Sequence, residues 1–393
     1  MKKLVLILLV AVLLLTSGCS YSVPDPMKYP DYTFDETPTT MELRQTAVQA
    51  MHDILSIQWH TKKEIVYRKT GPVSQKQFIH EPRETYAGLL YSTANTGLFQ
   101  FLEFYNYETG CLEYEGTADE LKLQLGSSCA DALLWAWSTV CNSISGGFYP
   151  VLMVPKNGYC IVGDYTYNFS VPSYNEMPSY HIIDNNPKET IMAAYAATLP
   201  ADALVTTSDN HAMMVIEAPT VVYLEDGSID AANSYIMIQD QRAGGSTFYD
   251  TKVNGRTLHY SGRTSAKYTF DKLYEEDFVP VTTAEFLGTK AYDKAAVSVT
   301  GDSCTTLDAL KAVTVEANYP LVSANIIKVN DKGEESVVAR EIFGGSAMQG
   351  APRTFDLKNM KALENVSAET GSVIKLEVVV ATGERFIPIE FSI

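Results

Sequence analysis

The segment Cys129-Ala130-Asp131-Ala132-Leu133-Leu134-Trp135-Ala136-Trp137, running on to Cys141, constrains the fold most. Apart from Asp131 its first turns carry only apolar or small side chains. A helix here has no polar stripe to give to water and must be covered on all sides. Ser127 or Ser128 can cap it. The predicted helix therefore places a cysteine, Cys129, in its first turn. The unpaired N–H groups and partial positive charge of a helix start stabilise a thiolate and can hold an oxyanion. An inert buried thiol would give the same local pattern.

The flanking pattern says what covers this helix. Thr39 or Thr40 can cap an earlier helix with Glu42 in its first turn, and Leu43, Ala47, Ala50, Met51, Ile54 and Leu55 recur at 3.6-residue spacing to about Ile57. Residues 71–84 read as irregular. From Val151 short strands are expected: Val151–Val154, Tyr159–Val162, Ala203–Thr206, Ala212–Ala218, Thr220–Leu224 and Tyr235–Ile238, with a helix over Lys188–Thr198. Helices followed by an antiparallel meander make an α+β pattern. After about Ala295 alternating strands separated by turn residues suggest a small β-sandwich-like domain over 295–393.

Histidines are scarce, six in 393 residues, and His211 alone opens an apolar strand, after the polar Ser208-Asp209-Asn210. An imidazole there can take a proton from a thiol and return it to a leaving amine. A polar group on the next strand would hold the ring. Gln239, Asp240 and Gln241 are the candidates, and alternation puts Gln239 and Gln241 on one face and Asp240 on the other. The expected catalytic set is Cys129, His211 and either Gln239 or Gln241.

A helix-borne cysteine, a strand-opening histidine and a polar residue on the following strand, in that order, resemble the NlpC-like and cysteine–histidine amidopeptidase (CHAP) families of papain-like cell-wall hydrolases. Leu199-Pro200-Ala201-Asp202-Ala203 is similar to the family's Leu-x-Pro-Gly-Asp turn, with Ala201 in place of glycine. Tyr86-Ala87-Gly88-Leu89-Leu90-Tyr91-Ser92 is similar to its Gly-x-Pro-Tyr segment, with Leu90 in place of proline. The resemblance covers roughly 41–288. It implies a papain-like, NlpC-type domain of helices packed on an antiparallel sheet and an amidase acting on peptidoglycan stem peptides. It also implies a substrate-binding role for Tyr91. Ser128 stands where the family has an aspartate before the nucleophile, which alters the substrate pocket. The long interval between Cys129 and His211 holds 158–186, rich in Tyr and Asn, expected as a lid or wall. Two other readings stay open: a non-catalytic wall-binding or adhesion lipoprotein retaining the hydrolase fold, and a papain- or transglutaminase-like Cys–His hydrolase of another kind.

The N-terminus supplies an address. Lys2 and Lys3, an apolar run from Leu4 to Leu15, then Thr16-Ser17-Gly18-Cys19 read as a secretory signal (1–19) ending in a lipobox, with Cys19 as the lipidation site. The expected location is the outer face of the cell membrane. Residues 20–40, with four prolines, read as a flexible tether. A formal charge of -17 argues against nucleic acid as a partner. No CxxC pair is present, so a zinc site is not expected. No metal or other cofactor is expected. Cys111, Cys141 and Cys160 are candidates for one disulfide, with Cys304 free.

Overall fold

The computed structural model describes residues 23, 26–68, 77–92, 94–114, 125–144, 149–153, 155–167, 179–242, 249–301, 304–345, 350–367 and 370–393. The expected signal and Cys19 lie outside these residues, as does 168–178 of the expected lid.

The first helix, α1 (Thr40–Ser56), starts as its sequence dictates. Thr39 is the N-cap; its backbone N–H donates to the Glu42 carboxylate at 2.7 Å and its Oγ1 accepts the Glu42 N–H at 3.3 Å. The expected apolar face is buried. Arg44 is buried too, donating to Asp202, Pro200 O and Phe286 O. This ion pair ties α1 to the turn that precedes Ala203–Thr206, the strand paired with the one His211 opens.

Helix α2 (Cys129–Trp137) is buried at all nine positions, as its pattern demands. It ends at Trp137, short of Cys141, and a final turn closes with Cys141 N–H on Trp137 O. It packs between α1 and a six-stranded, fully antiparallel sheet. That sheet consists of β1 (Tyr159–Ile161), β2 (Ala203–Thr206), β3 (His211–Val215), β4 (Tyr235–Gln241), β5 (Gly262–Thr269) and β6 (Val279–Thr283), in the order β5-β4-β3-β2-β6-β1. Helices α3 (Lys188–Ala196) and α4 (Phe270–Glu275) complete this layered arrangement. The protein is thus mixed α+β, richer in sheet than in helix.

Two expected strands differ. Pro150 opens a 3-10 turn, Pro150–Leu152, where Val151–Val154 was expected as a strand; its fixed φ and missing N–H suit a helical start, and Val154 lies outside the described residues. Thr220–Leu224 makes only isolated bridges, Thr220 with Tyr235 and Tyr223 with Ile229. Within 71–84, expected as irregular, Gln77–His80 pairs with Ile65–Arg68.

A second, mixed sheet contains Gln58–Thr61, Thr85–Ala87, Tyr105–Asn106, Cys111–Leu112, Tyr249–Val253 and Arg256–Tyr260. Beyond it, a three-stranded and a four-stranded sheet enclose a separate core that includes Leu310, Val315, Tyr319, Ile326, Leu376 and Val378.

This C-terminal unit is clamped to the rest. Glu103, nearly inaccessible, receives Arg385 at 2.8 Å and Arg340 at 3.3 Å. Asn95 and Gly345 exchange two hydrogen bonds. The N-terminal segment reinforces the join. Tyr29 Oη donates to Gly383 O and Tyr32 Oη to Asp53, with Tyr32 buried. From Met27 onward the expected tether is therefore a packed strap, because its aromatic side chains find partners in the body of the protein.

Among the described residues all five cysteines are free, so the expected disulfide among Cys111, Cys141 and Cys160 is not formed. Cys141 lies instead 3.4 Å from Thr283 Oγ1.

Candidate active site

The loop before Cys129 is held from the side. Ser127 N–H donates to Leu90 O, Ser92 N–H to Ser127 O, and Gly126 N–H to Thr96 Oγ1. Gly126 has φ +112°, and a Cβ there would lie 2.5 Å from both Leu90 O and Ser92 Oγ. Only glycine permits this approach. Tyr91 pairs with Ser127 across a parallel bridge, which sets the half-buried tyrosine beside the cysteine loop. Ser128 is the half-buried N-cap of α2. Its N–H donates to Asp131 at 2.8 Å. Burial pushes the Asp131 carboxyl up to about 7 despite that hydrogen bond.

Cys129 is the first residue of α2 and only 6% exposed. Its Sγ lies 3.7 Å from the carbonyl oxygen of Asn210, which has φ +49° at the end of the turn before β3. Asparagine tolerates that left-handed geometry better than most residues. The turn delivers His211 to the start of β3 beside the sulfur.

The ring is oriented from its far side. His211 Nε2 lies 2.7 Å from Asp240 Oδ2, which leaves Nδ1 for the thiol. Phe278 packs edge-on against the imidazole, its ring centre 6.3 Å away. Burial alone would depress the His211 pKa, but the hydrogen bonds and charges of Asp240 and Cys129 prevail and raise it to about 10. Asp240 is fully buried and is gripped in turn by Arg263, directly opposite it on β5. The guanidinium donates from Nε to Oδ1 at 2.8 Å and from Nη2 to Oδ2 at 2.6 Å. Burial would raise the Asp240 carboxyl, but the hydrogen bonds from His211 and Arg263 hold it below the usual range.

The structure corrects the expected third member. Gln239 donates to Val48 O at 2.9 Å, on the α1 side of the sheet. Gln241 donates to Leu89 O at 3.0 Å. Both side chains are buried and point away from the imidazole, because alternation along β4 puts them on the face opposite Asp240. Cys129, His211 and Asp240 are brought together; Gln239 and Gln241 brace the sheet. Arg263 was not foreseen. It sits on a polar strand with little apolar alternation, and only the β4–β5 register brings it to Asp240.

A buried line thus runs from sulfur through imidazole and carboxylate to guanidinium, with the N–H groups of a helix start beside the sulfur. The arrangement suits acyl transfer through a covalent thioester. No protein-family model, curated protein or solved structure matches the chain.

Proposed function

We propose that the protein is a cysteine hydrolase that cleaves amide bonds in peptidoglycan stem peptides, with Cys129 as nucleophile, His211 as general acid and base, and Asp240 orienting the ring. The observation that carries this reading is the hydrogen bond between His211 Nε2 and Asp240, with Cys129 at the start of a buried helix and its Sγ against the carbonyl of Asn210, the residue before His211. The resemblance to NlpC-like and CHAP domains supplies the substrate class. A lipid-anchored position through Cys19 on the outer face of the membrane fits such a substrate.

In the first half-reaction the Cys129 thiolate attacks the amide carbonyl carbon and a C–S bond forms. The oxygen takes up the negative charge facing the N–H groups at the start of α2. Collapse expels the amine, which takes its proton from the His211 imidazolium. Water then attacks the thioester with neutral His211 as base. The C–S bond breaks, and the thiolate–imidazolium pair returns as the acid product leaves. In this reading Tyr91, bridged to Ser127, and Ser128, the residue before the nucleophile, contact the substrate.

The test is digestion of purified sacculi by the full-length chain in detergent, with mass analysis of the released fragments, alongside Cys129→Ala. New peptide termini with the parent and none with the folded variant are expected. Equal release by both would end the proposal.

A further inference from the structure

We infer that Arg242 is a carboxylate-binding residue of the substrate cleft, which makes the preferred substrate a peptide with a free carboxylate near the scissile amide. The inference rests on the hydrolase reading and adds a specificity determinant to it.

Arg242 directly follows β4. Its N–H donates to Ser261 O at 3.0 Å, so the ladder with β5 continues through it. It lies two residues beyond Asp240, on the same strand face and about 7 Å further along. Its Nη1 is 3.4 Å from Tyr268 Oη, and Arg263 Nη2 is 3.3 Å from the same oxygen. Tyr268 is buried, with its ring packed on Phe278, the residue that also packs on His211. Lys272 Nζ stands 4.5 Å from the Tyr268 ring centre. Three cations thus gather around one phenol that shares Phe278 with the imidazole, in a chain of formal charge -17.

Their neutralisation is uneven. Asp240 answers Arg263, and Glu276 lies 3.8 Å from Lys272. Among the described residues Arg242 contacts no carboxylate; its guanidinium meets the Tyr268 hydroxyl. Among the described residues no carboxylate meets this half-buried guanidinium, which stands beside a second guanidinium already paired with Asp240 and leaves one positive charge over. A substrate carboxylate would complete it with short charge-assisted hydrogen bonds. Stem peptides carry such groups close to their amide bonds.

The test uses full-length Cys129→Ala in detergent, which binds without turnover. The probes are fluorescein-labelled L-Ala-γ-D-Glu-L-Lys and the same peptide with its carboxyls converted to amides, followed by anisotropy. The acid form is expected to bind roughly 10- to 100-fold more tightly than the amide form. Adding Arg242→Gln should erase that preference, and Arg242→Lys should restore part of it. No binding, no preference in Cys129→Ala, or a preference that survives Arg242→Gln with an unchanged near-ultraviolet spectrum overturns the inference. Should Arg242→Gln fail to fold, Arg242→Lys decides: an undiminished preference overturns it. Failure of the hydrolase reading is seen separately, as absence of sacculus digestion by the parent chain.

Discussion

The imidazole Nε2 of His211 meets Asp240 Oδ2 at 2.7 Å, across neighbouring antiparallel strands, with the carboxylate fully buried. Asp240 accepts from His211 and Arg263 together, so neither of its oxygens is left to wander. This fixes which ring nitrogen turns to Cys129 and keeps the imidazole charged well above its ordinary range.

Asp240→Asn should therefore cut kcat by roughly 10³- to 10⁴-fold, the scale seen when the orienting carboxylate of a triad is made neutral. The pH profile should change as well. The His211 pKa is raised to about 10, so the imidazolium is present at neutral pH and is lost only as pH rises through that value. Without the Asp240 charge the alkaline limb should move toward neutrality. A profile of kcat/KM with an unmoved alkaline limb in the variant would show that Asp240 does not govern the ring.

Arg263→Met should weaken both structure and rate. Removing the guanidinium leaves Asp240 a buried charge short of its partner, a change that typically destabilises by about 3–5 kcal/mol when a buried pair is broken. The 23% exposure of the Arg263 side chain places the loss toward the lower end of that range. Arg263→Lys keeps the charge but loses the two-pronged grip, so stability should recover more than kcat. Urea midpoints measured beside kcat for both variants check this. Equal recovery of both quantities by lysine would reduce Arg263 to a point charge.

Much of this site was legible in the sequence, and its failures share one cause. The capping box at Thr39 and Glu42, the all-buried helix from Cys129 and the strand opened by His211 are local patterns, readable because helix and strand periods are local. The choice among Gln239, Asp240 and Gln241 needed the face of β4 that meets β3, which alternation leaves ambiguous by one residue. Arg263 needed the register of β5, set by long-range pairing. Asn254-Gly255, both with positive φ, joins Tyr249–Val253 to Arg256–Tyr260, the two-residue turn that best announces a hairpin. The strap beginning at Met27 reads as a tether from its prolines alone; Tyr29, Tyr32 and Phe34 dock only because partners distant in sequence receive them.

Asp131 predicts an unusual dependence of stability on pH. Its carboxyl is raised from 3.8 to about 7 by burial, and its Oδ1 has no hydrogen-bond partner among the described residues. A raised carboxyl pKa means that the folded state holds the proton longer than the unfolded one. Stability is then full below about pH 4 and falls as pH climbs toward 7, by about 4 kcal/mol at most. Asp131→Asn keeps an oxygen for the Ser128 N–H and cannot ionise. Its stability relative to the parent should rise between pH 4 and pH 8, read from urea unfolding at each pH. Parallel curves for the two proteins would mean that Asp131 does not titrate in this range.

Ala201 tests the turn before β2, the strand that pairs with the histidine strand. It has φ +69°, where a side chain is strained, and it stands at the position that holds glycine in the family this segment resembles. Its backbone is fully used: the N–H donates to Val215 O at 2.8 Å and the carbonyl accepts Trp137 Nε1–H at 2.7 Å. Three effects compete in Ala201→Gly. Relief of the left-handed strain is worth about 1–2 kcal/mol. Against it stand about 0.4–1 kcal/mol of added freedom in the unfolded chain and about 0.8 kcal/mol for losing a buried methyl. The sum lies within about 1 kcal/mol of zero, so glycine should be nearly neutral in urea unfolding. Ala201→Val should not be tolerated, because a β-branched side chain at this φ is a steric outlier and the site is completely buried. It should lose more than about 2 kcal/mol by the overpacking and strain it imposes. It should also slow hydrolysis, since β2 leaves from this turn, the turn is hydrogen-bonded to Val215 at the end of β3, and β3 carries His211. Full stability in the valine variant would show that the chain does not pass through a left-handed residue here.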